Sequence, residues 1–373
     1  MNHIGKTLVV GGGIGGMAAA IRLREAGADV ELIDLDPAWR VYGAGITITG
    51  PTLRAYKRLG LIDAIKAHGA ITNGILIYRY DGVLLQTLEE PALEDGLPAS
   101  GGIMRPVLHR LMQNRINSLN IQVRLGVTVD RLVTQRDDVA VAFSDGTFGA
   151  YDLVVGADGI HSRVRSLAFP GAATPVKTGQ GCWRITTQRP PGFDRGEFYV
   201  GHRNAAGITA CGPDIVYMFV LPADNGERIA QAGLHARFLP EVEGFGGNIA
   251  WMASQITPTS WINYRPLEAL LQPPPWHAGR VVLLGDAAHA TPPQLASGAG
   301  LAVEDALVLS EELAGIGRGI EASLQAYTAR RYERCRMVVE SSIAIGRMQL
   351  AGQSMERLGA MTGEALHKLA ADF

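Results

Sequence analysis

The period of the hydrophobic pattern changes several times along the chain. Residues 6–10 have strand length and end in Leu8-Val9-Val10, which reads as a buried strand. A glycine-rich stretch at 11–16, a run of helical composition at 17–26 and a second strand-like run at 29–35 follow. Together they predict a βαβ unit. Residues 51–68 read as helix, and 74–89 alternate about Asp81-Gly82, which predicts a hairpin. Helix is expected at 105–119, a strand at 122–125, a hairpin over 127–134 and 139–143, and a fully apolar strand at 153–157. Between 179 and 262 the texture shifts to short β-like runs, 215–221 and 250–256 among them, with one helix-like piece at 227–238. A buried strand returns at 279–284, and from 304 the pattern is helical almost to residue 373.

Nucleotide-fold texture thus falls in three pieces, 1–72, 100–175 and 275–330. Two inserts richer in β signals, 73–99 and 176–274, interrupt it, and 331–373 is a C-terminal helical segment. The expected class is α/β, with two interleaved domains. A chain of 373 residues with 47% apolar positions is long enough for two cores. The formal net charge of −2 gives no electrostatic case for nucleic acid. No run reaches the roughly 18 apolar residues of a membrane helix. Cys182, Cys211 and Cys335 form no CxxC pair, so neither a disulfide framework nor a metal site is expected, and a reducing cytoplasm fits.

Candidate chemistry begins with Gly11-Gly12-Gly13-Ile14-Gly15-Gly16. Glycines between a strand and a helix let the turn close and let a pyrophosphate approach the backbone at the helix N-terminus. Asp34 ends the second strand, 21 residues beyond Gly13, where an acid accepts hydrogen bonds from a ribose. Asp36 is the weaker candidate, lying past the strand beside Pro37. On these residues alone the ligand is either NAD(P) or FAD. Two further apolar runs end in an acid: 154–159, reaching Asp158-Gly159, and 283–286, reaching Asp286. After the second come Pro292-Pro293 and a loop of small residues, Ser297-Gly298-Ala299-Gly300.

GGGIGG at 11–16, GADGIHSRVR at 156–165 and LLGDAAHATPP at 283–293 resemble, in order and spacing, the motifs of the flavin-dependent aromatic hydroxylases. These are the class A flavoprotein monooxygenases, relatives of p-hydroxybenzoate and salicylate hydroxylases. GAGI at 43–46, Arg105 at a helix start and Glu304-Asp305-Ala306 match as well. The resemblance implies a Rossmann-like FAD-binding domain interleaved with a β-sheet substrate domain. FAD would be the cofactor and NAD(P)H a transient reductant. Asp286 would hold the ribityl chain. Gly298, Ala299 and Gly300 would present backbone N–H groups to the flavin pyrimidine, and Pro293 would line the isoalloxazine. Asp158 would serve the pyrophosphate and Arg105 the diphosphate and ribityl chain. Gly11, Gly13, Ile14, Gly16, Asp34, Gly45 and Val129 complete the expected cofactor contacts. Where relatives often read Gly-Gln-Gly, this chain has Ala296-Ser297-Gly298.

The activity implied is hydroxylation of a small electron-rich aromatic or hydroxy-N-heteroaromatic by O₂ through a flavin C4a-hydroperoxide. Tyr217, in an alternating strand of the second insert, is the expected pocket residue. Thr47, Arg184 and His202 are further candidates, Arg184 for a carboxylate and His202 as a base. Ala205 stands where urate hydroxylases carry an arginine, which disfavours a urate-like substrate. His161 and His289 are expected to be structural. Glu304 and Asp305 should complement a helix dipole. Tyr327, Arg330, Arg331 and Arg334 are expected on a solvated face or at a subunit contact. A monomer or homodimer is expected. The alternatives are a flavin oxidoreductase without oxygen insertion and a non-catalytic flavin-binding module.

Overall fold

The computed structural model describes residues 5–41, 44–90, 92–201, 204–227, 229–315, 317 and 319–373. Its central sheet grows from the apolar runs. β1 (Lys6–Val10) lies between β2 (Asp29–Asp34) and β12 (Leu153–Gly156), parallel to both. The order is β18 (His277–Ala278), β19 (Val281–Leu283), β12, β1, β2, β8 (Gln122–Leu125), parallel throughout except at β18. Leu8, Val9, Leu32, Val154, Val155 and Leu283 are fully buried, as strands covered on both faces require. Helix α1 (Ile14–Glu25) crosses from β1 to β2 and presents Met17, Ala18, Ile21 and Leu23 to this core. The three acid-ended runs of the sequence are β2, β12 and β19, side by side with β1 at the same sheet end.

A seven-stranded sheet has the order β17 (Ile262–Ala269), β13 (Val176–Gln188), β16 (Ile215–Leu221), β15 (Ala205–Ala210), β14 (Gly196–Val200), β5 (Gly74–Arg79), β6 (Leu84–Glu89). Its pairs are antiparallel except β14–β5. Alternation along β13 and β16 sends Trp183, Ile185, Val216, Met218 and Val220 into a core with Phe238, Ile249 and Met252. Arg184, Tyr217 and Phe219 therefore belong to the opposite face. Smaller sheets are β3 (Gly45–Thr49), β7 (Ser100–Met104) and β4 (Ala70–Thr72), and β9 (Val129–Thr134), β10 (Val139–Phe143) and β11 (Phe148–Tyr151).

The helical stretch expected at 51–68 is two helices, α2 (Gly50–Arg58) and α3 (Ile62–His68), parted at Gly60, whose φ is 77°. α4 (Arg105–Ser118) and α5 (Arg163–Ala168) follow. The strand-like run at 250–256 is instead helix α7 (Gly247–Gln255). Its buried Ile249 and Met252 are three apart, and apolar residues at helical spacing won over apparent alternation. The helix expected at 227–238 starts later, as α6 (Leu234–Val242), and keeps Pro240 inside it. α8 (Asp286–His289) and α9 (Gly298–Ala314) precede α10 (Ile320–Leu350) and α11 (Met355–Ala370). The boundary expected at 331 thus falls within α10.

Candidate active site

The first motif is shaped by steric necessity. Gly11 has φ 108°, and a Cβ there would collide with the Ala157 carbonyl on the neighbouring strand. A Cβ on Gly16 would strike the Gly11 carbonyl, whereas one on Gly13 would meet nothing. The loop is therefore packed from behind and open in front. Gly13 leads into α1, and no side chain caps the helix start at Ile14. That N-terminus can present free N–H groups to an anion. Asp34 lies beside it and accepts from the Gly12 N–H at 2.6 Å and the Asp36 N–H at 2.8 Å. Asp36 faces away and pairs with Arg40 at 3.0 Å. Trp39 donates its indole N–H to the Gly12 carbonyl at 2.9 Å, and its ring meets His109 edge-on. The sequence reading missed both rings, and no spacing signal marks them.

The second motif is braced internally. Asp158 accepts from the Ser162 hydroxyl and from the Arg163 and Val164 N–H groups, capping α5. Its carboxyl is pushed up by burial, against these hydrogen bonds. Arg163 donates to the Val129 carbonyl at 2.6 Å, so Val129 meets this motif through its backbone. Arg165, only 3% exposed, donates to Ile160, Ala173 and Ala287 carbonyls. The last contact ties the second motif to the third.

The third motif turns at Gly285, whose φ is 61°. Asp286 heads α8 and is solvent-accessible in a cleft, yet protein atoms crowd it closely. That crowding raises its pKa, while His289 and Arg105 oppose the rise. Pro293 is exposed and opens a single 3-10 turn, and Ala296 adopts a left-handed φ of 49°. Helix α9 then begins at Gly298, six residues before the expected start, with no side-chain cap. The N–H groups of Gly298, Ala299 and Gly300 are thus available at a helix N-terminus. A Cβ on Gly300 would collide with the Thr52 hydroxyl of α2.

Behind this loop lies a charge network the sequence reading did not anticipate. Asp305 is fully buried and bonds the Gly285 N–H, His289 Nε2 at 2.5 Å and Arg331 Nε at 2.7 Å. Arg331 also reaches Glu304 at 2.8 Å, which Arg334 holds with two further bonds. Arg331 and Tyr327 are 0% exposed, so they lie on no solvated face. Among the four, Arg330 fits the surface expectation, pairing with Glu311 and Glu312. Nor do Glu304 and Asp305 merely complement a dipole, since both anchor arginines of α10. Burial opposes the His289 charge, but Cys335 and Asp305 outweigh it, and its pKa rises well above 6.5. Asp305 is held down to about 2, against burial, by His289 and Arg331. His289 is structural, as expected. His161 is exposed and pairs with Glu268 at 3.3 Å.

Two of the candidate pocket residues, Arg184 and Tyr217, are linked to the third motif through Arg105. Tyr217 pairs with Thr186 on β13 and Thr209 on β15. It is 7% exposed, and its phenol lies beside the Arg184 guanidinium. Burial pushes the Tyr217 pKa up, so the phenol stays protonated. Burial opposes the Arg184 charge, yet the net shift of its pKa is upward, so the guanidinium stays charged. Arg105, deep at the start of α4, feels Arg184, Tyr217 and Asp286. Burial first, then Arg184, lowers its pKa. Gly45 lets β3 pass against this strand, since a Cβ there would strike Cys211 Sγ and approach Tyr217 Cβ to 2.6 Å. The Thr47 and Thr209 hydroxyls share a hydrogen bond of 2.9 Å. His202 and Gly43 lie outside the described residues. Two uncapped helix starts, an accessible acid in a cleft and a deep arginine suit a ligand carrying both a pyrophosphate and a polyol, as FAD does.

A model of the "FAD binding domain" family matches residues 5–342. YetM of Bacillus subtilis, named as an FAD-dependent monooxygenase, is 32% identical over 95% of both chains. The 2-heptyl-3-hydroxy-4(1H)-quinolone synthase of Pseudomonas aeruginosa is 30% identical over 91% of this chain and 88% of its own. The fold matches that of Klebsiella pneumoniae HpxO, solved with FAD and uric acid, at a TM-score of 0.84 and 24% identity. That match covers 99% of this chain and 96% of HpxO. The chain belongs to the FAD-binding-domain family, as an FAD-dependent monooxygenase.

Proposed function

We propose that this enzyme uses NAD(P)H and O₂ to hydroxylate a small, electron-rich aromatic or hydroxy-N-heteroaromatic ring. FAD, when bound, accepts the hydride and activates O₂. The balance is one NAD(P)H, one proton, one O₂ and one ring C–H consumed, giving NAD(P)⁺, water and a ring C–OH. The arrangement that carries the reading is the Arg184–Tyr217 pair beside Gly45, on the sheet face away from the hydrophobic core.

The protonated Tyr217 phenol can donate to a ring oxygen, and Arg184 can hold a carboxylate or an ionised hydroxyl. Both interactions favour the electron-rich form of the ring. Arg105 and Asp286 would hold the diphosphate and ribityl portions of FAD. The uncapped start of α9 would stabilise negative charge on the reduced ring. Apolar Cys182, Cys211 and Phe219 surround the pair and exclude water. Relatives named for quinolone and urate oxidation act on fused N-heteroaromatics. Ala205 heads β15 with no cation, which keeps urate itself from being the favoured substrate.

The FAD-binding portion is assigned to 1–72, 100–175 and 275–330 and the substrate portion to 73–99 and 176–274. Among the described residues no helix is long and apolar enough to cross a membrane. We place the enzyme in the cytoplasm, as a monomer or homodimer.

The test is a panel of phenols and hydroxy-N-heteroaromatics screened for accelerated NAD(P)H oxidation, with ¹⁸O₂ supplied. Label in a hydroxylated product supports the reading. Oxygen from water, or H₂O₂ alone with every compound, supports oxidation without oxygen insertion. FAD binding with no stimulated NAD(P)H oxidation supports a non-catalytic module.

A further inference from the structure

Three glutamines from three distant parts of the chain meet beside the flavin loop. Gln294 directly follows Pro293. Its amide donates to Gln180 Oε1 at 2.7 Å, and Gln180 donates in turn to Gln349 Oε1 at 3.2 Å. The Gln294 Oε1 is buried with no partner among the described residues. The bond to Gln180 is therefore what holds this side chain.

The local backbone is bent to allow the meeting. The β13–β17 register shifts between Lys177 and Gly181, Gly179 has φ 85°, and Gln180 makes an isolated bridge to Ala223. A bulge of this kind re-aims a side chain, and Gln180, although polar, is 2% exposed. On the facing helix α10, Gly346 supplies a notch. A Cβ there would lie 2.5 Å from Gln180 Oε1 and 3.1 Å from Gln294 Nε2. Glycine inside a 31-residue helix disfavours the helix itself, so its presence points to the approach it permits.

We propose that Gln180, Gln294 and Gln349 form a positioning junction. It holds the loop carrying Pro293 in register with β13, the strand that carries Arg184, and braces both against α10. The flavin loop and the substrate strand then keep a fixed spacing set by side chains and not by chain connectivity.

The experiment measures hydrogen–deuterium exchange of residues 294–300 in the FAD-loaded protein. Gln180→Leu should speed exchange there about tenfold, although residue 180 lies in β13, 114 residues before Gln294. Thr187→Ala, farther along β13, should not. Gln294→Leu should match Gln180→Leu at the loop, and the double variant should add nothing there, because both remove the Gln180–Gln294 bond that holds it. Unchanged loop exchange in the single variants, or additive effects in the double, overturns the proposal. Gly346→Ala guards against a misfolded strand variant. Alanine favours helix, so a plain helical position would give a more stable protein with normal loop exchange, and that result also overturns the proposal. The junction requires faster exchange at 294–300 instead.

Discussion

The proposed cofactor side and the proposed substrate side of this site are built by different means. Around the glycine-rich loop and the start of α9, the groups that face a ligand are backbone N–H donors, exposed because side chains are missing. Gly11, Gly16 and Gly300 each leave no room for a Cβ. On the proposed substrate face the groups are side chains, Arg184, Tyr217 and Thr47, from three strands of two sheets. A backbone-built site depends on local spacing, and a side-chain-built site depends on register between strands far apart in sequence. The first tolerates little change in glycine positions. The second can change its ligand by single substitutions without disturbing the cofactor.

The sharpest way to break this contrast is Tyr217→Phe, which removes one hydroxyl and keeps the ring. Orienting or acid–base help of this kind is worth about 10²–10⁴-fold. Product formation should fall by that order, while FAD binds normally and NAD(P)H is still consumed. H₂O₂ should account for the missing product. Parental product yield per NAD(P)H would return Tyr217 to a packing role.

Asp305→Ala should come next, through stability. It leaves His289 and Arg331 buried without their shared carboxylate, a loss of about 3–5 kcal/mol for a buried pair broken on one side. Urea titration of the FAD-loaded protein reads it as a lower midpoint. The intact network also predicts a pH window. Asp305 is depressed from 3.8 to about 2, so its contribution is present above pH 4 and lost as pH falls towards 2. His289 is raised above 6.5, so its contribution is complete below that value and lost as pH rises through the folded-state pKa. A variant as stable as the parent at neutral pH contradicts this account.

How much of this was legible in the sequence follows the same division. β1, β2, β12 and β19 were readable because they are apolar and buried on both faces and a glycine or an acid ends them or follows within two residues. The order and spacing of the three motifs gave the cofactor loops. Tyr217 could be singled out because β16 is a long apolar strand with one polar phenol. The Asp305–Arg331 network was not legible: 26 residues separate the partners, and arginines on a helix ordinarily face water. α7 was misread because a short apolar run fits either period until its packing partners are known. Trp39 and His109 carry no spacing signal, since a loop places the one and a polar stretch of α4 the other.

Asp286→Ala sharpens the cofactor half of the contrast. Loss of a hydrogen bond from a charged group costs about 1.5–3 kcal/mol, or about ten- to a hundredfold in FAD affinity. The fold should survive, because among the described residues no hydrogen bond or ion pair of the Asp286 carboxylate holds another element. Titration of FAD-free protein with FAD checks it, and parental affinity would remove Asp286 from the site.

The smallest effect separates two neighbouring acids. Asp34 accepts from the Gly12 N–H at 2.6 Å, so its carboxylate reaches the loop proposed to receive the pyrophosphate. Asp36 is occupied by the Ala38 N–H and Arg40 and sits at the surface. Surface ion pairs of that sort contribute about 0–1 kcal/mol. Asp34→Ala removes both a ribose acceptor and the bond that fixes Gly12, so FAD affinity should fall several-fold to about tenfold. Asp36→Ala should leave it within a factor of two, although both lose one negative charge from the same turn. Equal losses from the two variants would mean that net charge near the loop matters and the Gly12 contact does not. The cofactor side would then be less purely backbone-built than its geometry indicates.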